Sequence, residues 1–152
     1  MQTDKGTMKT ETIFSDDRSR RYLLRREWDN KKLKATVIMT NPSTADLHTM
    51  DFTTLYSLKS AATADKIIIA WGKGGENSQK LGQMQRALLE QLRPHEKKLH
   101  LIADSTGRAG FHPLAPQIRF TWQLKHYQIP KVETAQKNQS TAGAVVPAAV
   151  GA

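Results

Sequence analysis

The sequence predicts an α/β protein: a layered, mostly parallel sheet with an antiparallel strand pair on its N-terminal side. Three observations predict it. The runs at 35–40 (Ala-Thr-Val-Ile-Met-Thr) and 67–71 (Ile-Ile-Ile-Ala-Trp) are β-branched and apolar on both faces, the pattern of buried parallel strands. A third run, 99–103, is separated from the second by Leu81, Met84, Leu88, Leu89 and Leu92, which recur at helical spacing. The segments 12–14 and 22–28 flank the turn-forming cluster Ser15-Asp16-Asp17, which suits a hairpin.

Each element has local support. In the second hairpin segment Tyr22, Leu24, Arg26 and Trp28 alternate against Leu23, Arg25 and Glu27, a mixed pattern that fits an edge strand. Asn77 or Ser78 can cap the amphipathic helix, and Pro94 marks its end. Residues 53–64, with Leu55, Leu58 and Ala62, form a weaker helical pattern. Strand and helix in alternation imply right-handed crossovers, and ligands on such sheets bind just beyond the carboxyl ends of the parallel strands.

The chain has 152 residues, enough for one domain of ordinary size, and its 38% hydrophobic residues allow a core. Residues 1–10 are expected to be flexible, 11–131 to form the domain, and 132–152, poor in anything to bury, to be a disordered tail. A strand through Ala144, Val145 and Val146 is the alternative for that tail. With no cysteine, disulfides, thiolate-bound zinc and thiol nucleophiles are excluded. No apolar run approaches the roughly 18 residues of a membrane span, and the first ten residues lack a secretory leader's apolar stretch. A soluble, cytoplasmic protein without a membrane role is expected. Lys and Arg number 23 against 14 Asp and Glu, a net charge of +9 that favours polyanionic partners, nucleic acid first.

Three loops could carry chemistry. The first, Asn41-Pro42-Ser43-Thr44-Ala45-Asp46, follows the first buried run. Pro42 forces a sharp turn, and the Asn41 amide both donates and accepts, which suits reading a base edge. An ordinary turn in which Ser43 or Thr44 caps a helix is the plainer alternative. The second, Trp71-Gly72-Lys73-Gly74-Gly75, permits close approach of a ligand and offers Lys73 to a phosphate, yet lacks the Gly-Lys-Ser/Thr ending of a nucleotide-binding loop. A flexible strand-to-helix turn explains it equally well. The third places His112 between Gly107, Gly110 and Pro113, where a histidine could donate to developing negative charge or serve structure alone. His48, His95, His100, His112 and His126 form no metal-binding pair, and Ser43 lacks a hydrolase elbow. No metal and no cofactor is expected. Asp46, Asp51 and Asp104 could gather near the strand ends, which spacing cannot decide.

These motifs together resemble the domain-of-unknown-function family 1643. The resemblance rests on Phe14-Ser15, Arg21-Tyr22-Leu23-Leu24 with Trp28, the stretch from Ile38 to Asp46, Ala70-Trp71-Gly72 and His112-Pro113-Leu114, in that order. That family is in turn distantly similar to the uracil-DNA glycosylase fold. The resemblance implies a three-layer α/β/α sandwich whose motif loops face a nucleobase pocket. It also implies roles: Asn41 and His112 catalytic, with Pro42, Ser43, Thr44, Asp46, Trp71, Gly72 and Pro113 around the substrate. His112 would steady the departing base, and the Asn41 motif would position water. Asn41 is not a carboxylate, and Leu114-Ala115-Pro116 stands where Ser and a second Pro belong. The middle, 50–66, is short for the family, with Leu55-Tyr56-Ser57-Leu58 as the remnant of a lost helix and strand.

A basic stretch completes the picture. Arg18, Arg20, Arg21, Arg25, Arg26, Lys31, Lys32 and Lys34 interleave with Tyr22 and Trp28, a pattern suited to phosphate contact. A solvated edge strand protected from aggregation is the alternative. The expected function is that of a nucleic-acid-associated protein, binding DNA or RNA, with a glycosylase-like fold and N-glycosidase chemistry. The alternatives are a non-catalytic nucleic-acid or nucleotide-binding module, or a basic element of a mobile genetic element that binds a protein partner.

Overall fold

The computed structural model describes residues 8–39, 47–73 and 76–131, with the helical backbone alone at 47–53. Two strands, β1 (Lys9–Phe14) and β2 (Arg21–Glu27), pair antiparallel as a separate hairpin. Its pairing begins at Lys9↔Glu27 and Thr10↔Arg26, inside the stretch expected to be flexible. The main sheet has the order β3 (Ala35–Ile38), β4 (Lys66–Ile69), β5 (Leu99–Ala103), β6 (Gln123–His126). The first three strands run parallel and β6 closes the edge antiparallel, so the sheet is mixed and mostly parallel.

Helix α1 (Leu47–Thr63) joins β3 to β4, and α2 (Gln79–Leu92) joins β4 to β5. Ser78 caps α2, its hydroxyl accepting from the Leu81 N–H. Pro94 opens the 3-10 segment Arg93–Lys98, where a missing N–H costs nothing, and that segment delivers the chain to β5.

Both helices bury their apolar sides on one face of the sheet. Ala61 and Ala64 from α1 and Leu88 and Leu92 from α2 share a core with Ile38, Ile67, Ile69 and Leu99. The opposite face carries Ile68, Ala70 and Ile102, packed against Ile118, Phe111 and Ala115 from the chain between β5 and β6. Among the described residues the second face is covered by loop and a 3-10 turn at Pro116–Ile118, and both helices lie on the first. The reason is topological. Successive crossovers of one hand that step in one direction, β3 to β4 to β5, place their helices on the same side.

The first buried run needs a correction. Ile38 is buried under the helices, but Val37 is 45% exposed and Met39 51% exposed. Among the described residues β3 pairs with β4 alone, and alternation turns Val37 and Met39 to the thinly covered face.

The hairpin rests on α1, where the Tyr22 and Tyr56 rings stack at 6.1 Å. At the other end of the chain the Tyr127 N–H donates to Leu99 O (2.9 Å) and the Ile129 N–H to the Glu96 carboxylate (2.7 Å). These bonds hold the chain after β6 against the helical face.

Candidate functional site at the carboxyl end of the sheet

The parallel strands all deliver their carboxyl ends to one edge. The loop after β3 lies outside the described residues, and with it Asn41, Pro42, Ser43, Thr44 and Asp46. After β4 the Ala70 N–H still donates to Ile38 O (2.9 Å), and Trp71-Gly72-Lys73 then turns off the sheet. After β5 comes Asp104 and the loop that carries His112.

Two motif loops far apart in sequence touch here. Gly72 has φ +65°, and a Cβ added to it would lie 3.1 Å from the Cβ of His112. Only glycine gives both that backbone angle and that approach. The His112 loop is anchored by Gly110 and Phe111, whose N–H groups donate to Ile102 O at 3.0 and 3.3 Å. Past Pro113 the Ala115 N–H donates to His112 O (2.9 Å), closing a tight turn. The Leu114 N–H donates to His112 Nδ1 (3.1 Å). With Nδ1 acting as acceptor, a neutral imidazole carries its proton on Nε2. His112 is therefore set as a hydrogen-bond donor through Nε2.

Trp71 has two duties. Its half-buried ring packs with Leu89, Leu101 and Tyr127 against the helix-side core. It also lines, with Gly72, a cleft of about 420 Å³ whose other walls include Tyr127, Leu101, Glu76 and Arg86. Aromatic walls with a few polar groups suit a small planar ligand. Sequence reasoning missed Tyr127 and Arg86. Arg86 lies on the side of α2 that helical spacing reads as solvent-facing, and Tyr127 reaches the cleft only as the chain leaves β6.

Asp104 is 5% exposed and committed to its own turn. Its Oδ1 accepts from the Thr106 hydroxyl (2.6 Å), the Thr106 N–H (2.9 Å) and the Arg108 N–H (3.1 Å). Its Oδ2 accepts from Arg108 Nε at 2.9 Å and pairs with Arg108 Nη2 at 2.9 Å. The Thr106 hydroxyl above all, with the other donors, holds this carboxyl below the usual carboxylate range. A carboxylate so satisfied is a poor base. Among the described residues no three His, Cys, Asp or Glu side chains gather to hold a metal ion. Nor is any described helix long and apolar enough to cross a membrane.

The basic residues divide among several places. Arg18 occupies the hairpin turn at φ +57°. Beside it the Asp17 carboxyl is pulled down to about 2, chiefly by the Ser15 hydroxyl and then by Ser19. Arg20 is half-buried and already engaged within the protein. Register puts Arg25, opposite Glu11, on one face of the hairpin and Arg26, opposite Thr10, on the other, and a register shift between Ile13 and Phe14 breaks the alternation before Arg21. Arg25 pairs with Glu11 across the strands at 3.0 Å. Lys31, Lys32 and Lys73 are exposed, and Lys73 alone of these stands at the carboxyl end of the main sheet. Pro113 lies with His112, half-buried in the same turn.

Comparison with known proteins agrees with the motif pattern. No curated protein and no solved structure matches the chain. A family described as "Protein of unknown function (DUF1643)" matches residues 21–62 and 54–114. The two matches overlap at 54–62 and together span more than half of the 152 residues, taking in both Trp71-Gly72 and His112-Pro113. On that coverage the chain belongs to the DUF1643 family.

Proposed function

We propose that this is a nucleic-acid-associated protein with a uracil-DNA-glycosylase-like fold, shortened in its middle, that handles a nucleobase at the carboxyl end of its sheet through N-glycosidase chemistry. The observation that carries the reading is the Gly72–His112 contact, with Leu114 N–H on Nδ1 and Nε2 left as donor. A donor fixed in that way stabilises charge as it develops on a departing base, so it acts on the transition state more than on bound substrate. The cleft beside Trp71 and Tyr127 has room for a base next to Gly72, on which His112 packs, though His112 itself is not among the lining residues; a base in a duplex would be flipped out to reach it. The Asn41 loop would orient base or water. The +9 charge and the exposed cations of the hairpin would supply phosphate contacts.

A second reading, a binding module without chemistry, is favoured by one observation. Asp104, a buried carboxylate at the strand ends, is fully engaged in its turn and cannot activate water. The two readings separate in one assay: release of free base from uracil-, hypoxanthine- and mismatch-containing oligonucleotides and from free nucleosides. The enzyme reading expects release that falls about 10²–10³-fold in His112→Ala, with oligonucleotide affinity retained. No release from any substrate, with binding intact, leaves the binding module. Release by His112→Ala at the wild-type rate removes the role given to His112.

A further inference from the structure

A second feature of the same edge lies outside the motif loops. Phe120 is 88% exposed and Trp122 50% exposed, and with Ser105, Thr121 and Gln123 they line a separate cleft of about 410 Å³. Its place in the fold is fixed by register. Gln123, the first residue of β6, pairs with Ala103, the last of β5, so the cleft opens at the carboxyl end of the sheet. Neither ring is needed by the core, which on this face is made by Ile68, Ala70, Ile102 and Ile118.

The surroundings say what suits these rings. From Ser105 to Lys131 the sequence holds Arg108, Arg119, Lys125 and Lys131 and no Asp or Glu at all. Arg119 stands 5.5 Å from the centre of the Phe120 ring. Arg108 pairs with Asp104 through one edge, yet its side chain stays 71% exposed. Lys125 reaches back to Gly107 O (3.2 Å), which draws its ammonium toward the same loop. Exposed aromatic faces in a purely cationic segment match a ligand that presents flat apolar rings on an anionic chain.

We propose that the Phe120–Trp122 cleft is a base-stacking site for single-stranded nucleic acid. Unpaired bases stack on the two rings, while Arg108, Arg119 and Lys125 face the phosphates. Every base has a π-face, so the site is tolerant of sequence, and a duplex, whose bases are already stacked, gains little from it. The proposal rests on the nucleic-acid reading above and sharpens it to unpaired strands arriving beside His112.

The test is fluorescence anisotropy at low salt with three labelled probes of equal length: a single-stranded oligothymidine, a duplex, and an abasic strand that keeps its phosphates. The variants are Phe120→Ala and Trp122→Ala, with the exposed Leu55→Ala of α1 as control and thermal melts to confirm folding. Wild type is expected to prefer the oligothymidine over both other probes. Each cleft variant should lose roughly 5- to 100-fold on the oligothymidine and little on the abasic strand. Oligothymidine affinity unchanged in both variants overturns the stacking site while leaving nucleic-acid binding in place. If wild type binds none of the probes, the underlying reading falls as well. Self-association of wild type that disappears in Phe120→Ala, without an effect on oligothymidine affinity, makes the patch a protein interface and also overturns the proposal.

Discussion

Gly72 stands at φ +65° with the His112 side chain directly over it, and two penalties would follow from any Cβ there. One is conformational, because L-residues avoid that region; the other is contact at 3.1 Å, tighter than Cβ neighbours normally accept. Gly107 isolates the first penalty: its φ is +86°, but nothing lies within 4 Å of its would-be Cβ. Gly72→Ala is expected to cost about 1–3 kcal/mol and to shift the His112 imidazole resonances. Gly107→Ala should cost less and leave those resonances in place. Equal costs, with His112 unmoved by both, would mean that the contact between the two motif loops does not position the histidine. The sequence singles out that glycine and that histidine as candidates, but nothing in their spacing says that they touch. A glycine's neighbour is set by the fold, not by the residues beside it.

The turn after β5 behaves as a single unit, because one buried carboxylate organises four donor groups from Thr106 and Arg108. A carboxyl whose folded value is depressed stabilises the fold above its unfolded value, near 4, and loses that contribution as pH falls through the folded value. Asp104→Asn should therefore lower the thermal midpoint at pH 7, and the gap to wild type should narrow below about pH 4. A gap that stays constant down to pH 2 would show that charge on Asp104 is irrelevant to the turn. Among the other elements, α2 was readable because one apolar side, a capping Ser78 and a following Pro94 all agree. Helix α1 begins at Leu47, six residues before the periodicity that marks it, since Leu47–Phe52 offers no regular apolar side. Strand β6 was invisible to pattern reading. Four residues, Gln-Leu-Lys-His, with only Leu124 half-buried, make too short and polar an alternation to stand out.

Among the described residues the sheet carries a helical layer on one side and a thinner, cationic loop cover on the other. Hydrophobic patterning shows that a strand is apolar on both faces but not what covers each face. This is why Val37 and Met39 were expected inside. The features on which both proposals rest gather at one edge. Gly72, His112, the Trp71 cleft and the Phe120–Trp122 cleft all lie at the carboxyl end, whereas Lys66 and Lys97–Lys98 mark the opposite end. A charge of +9 spread over both ends and the hairpin would, by itself, draw nucleic acid to all of them and let it go as salt rises. What distinguishes the account is where contact persists. A ¹H–¹⁵N titration of the full chain with single-stranded oligothymidine, repeated at moderate salt, maps that contact directly. The predicted result is that shifts at Gly72, Phe111, His112, Leu114 and Thr121–Gln123 survive the added salt while those at Lys66 and Lys97–Lys98 fade. Shifts confined to the hairpin or to the Lys97–Lys98 end, with Gly72 and His112 unmoved, would contradict a base-handling site at the carboxyl edge.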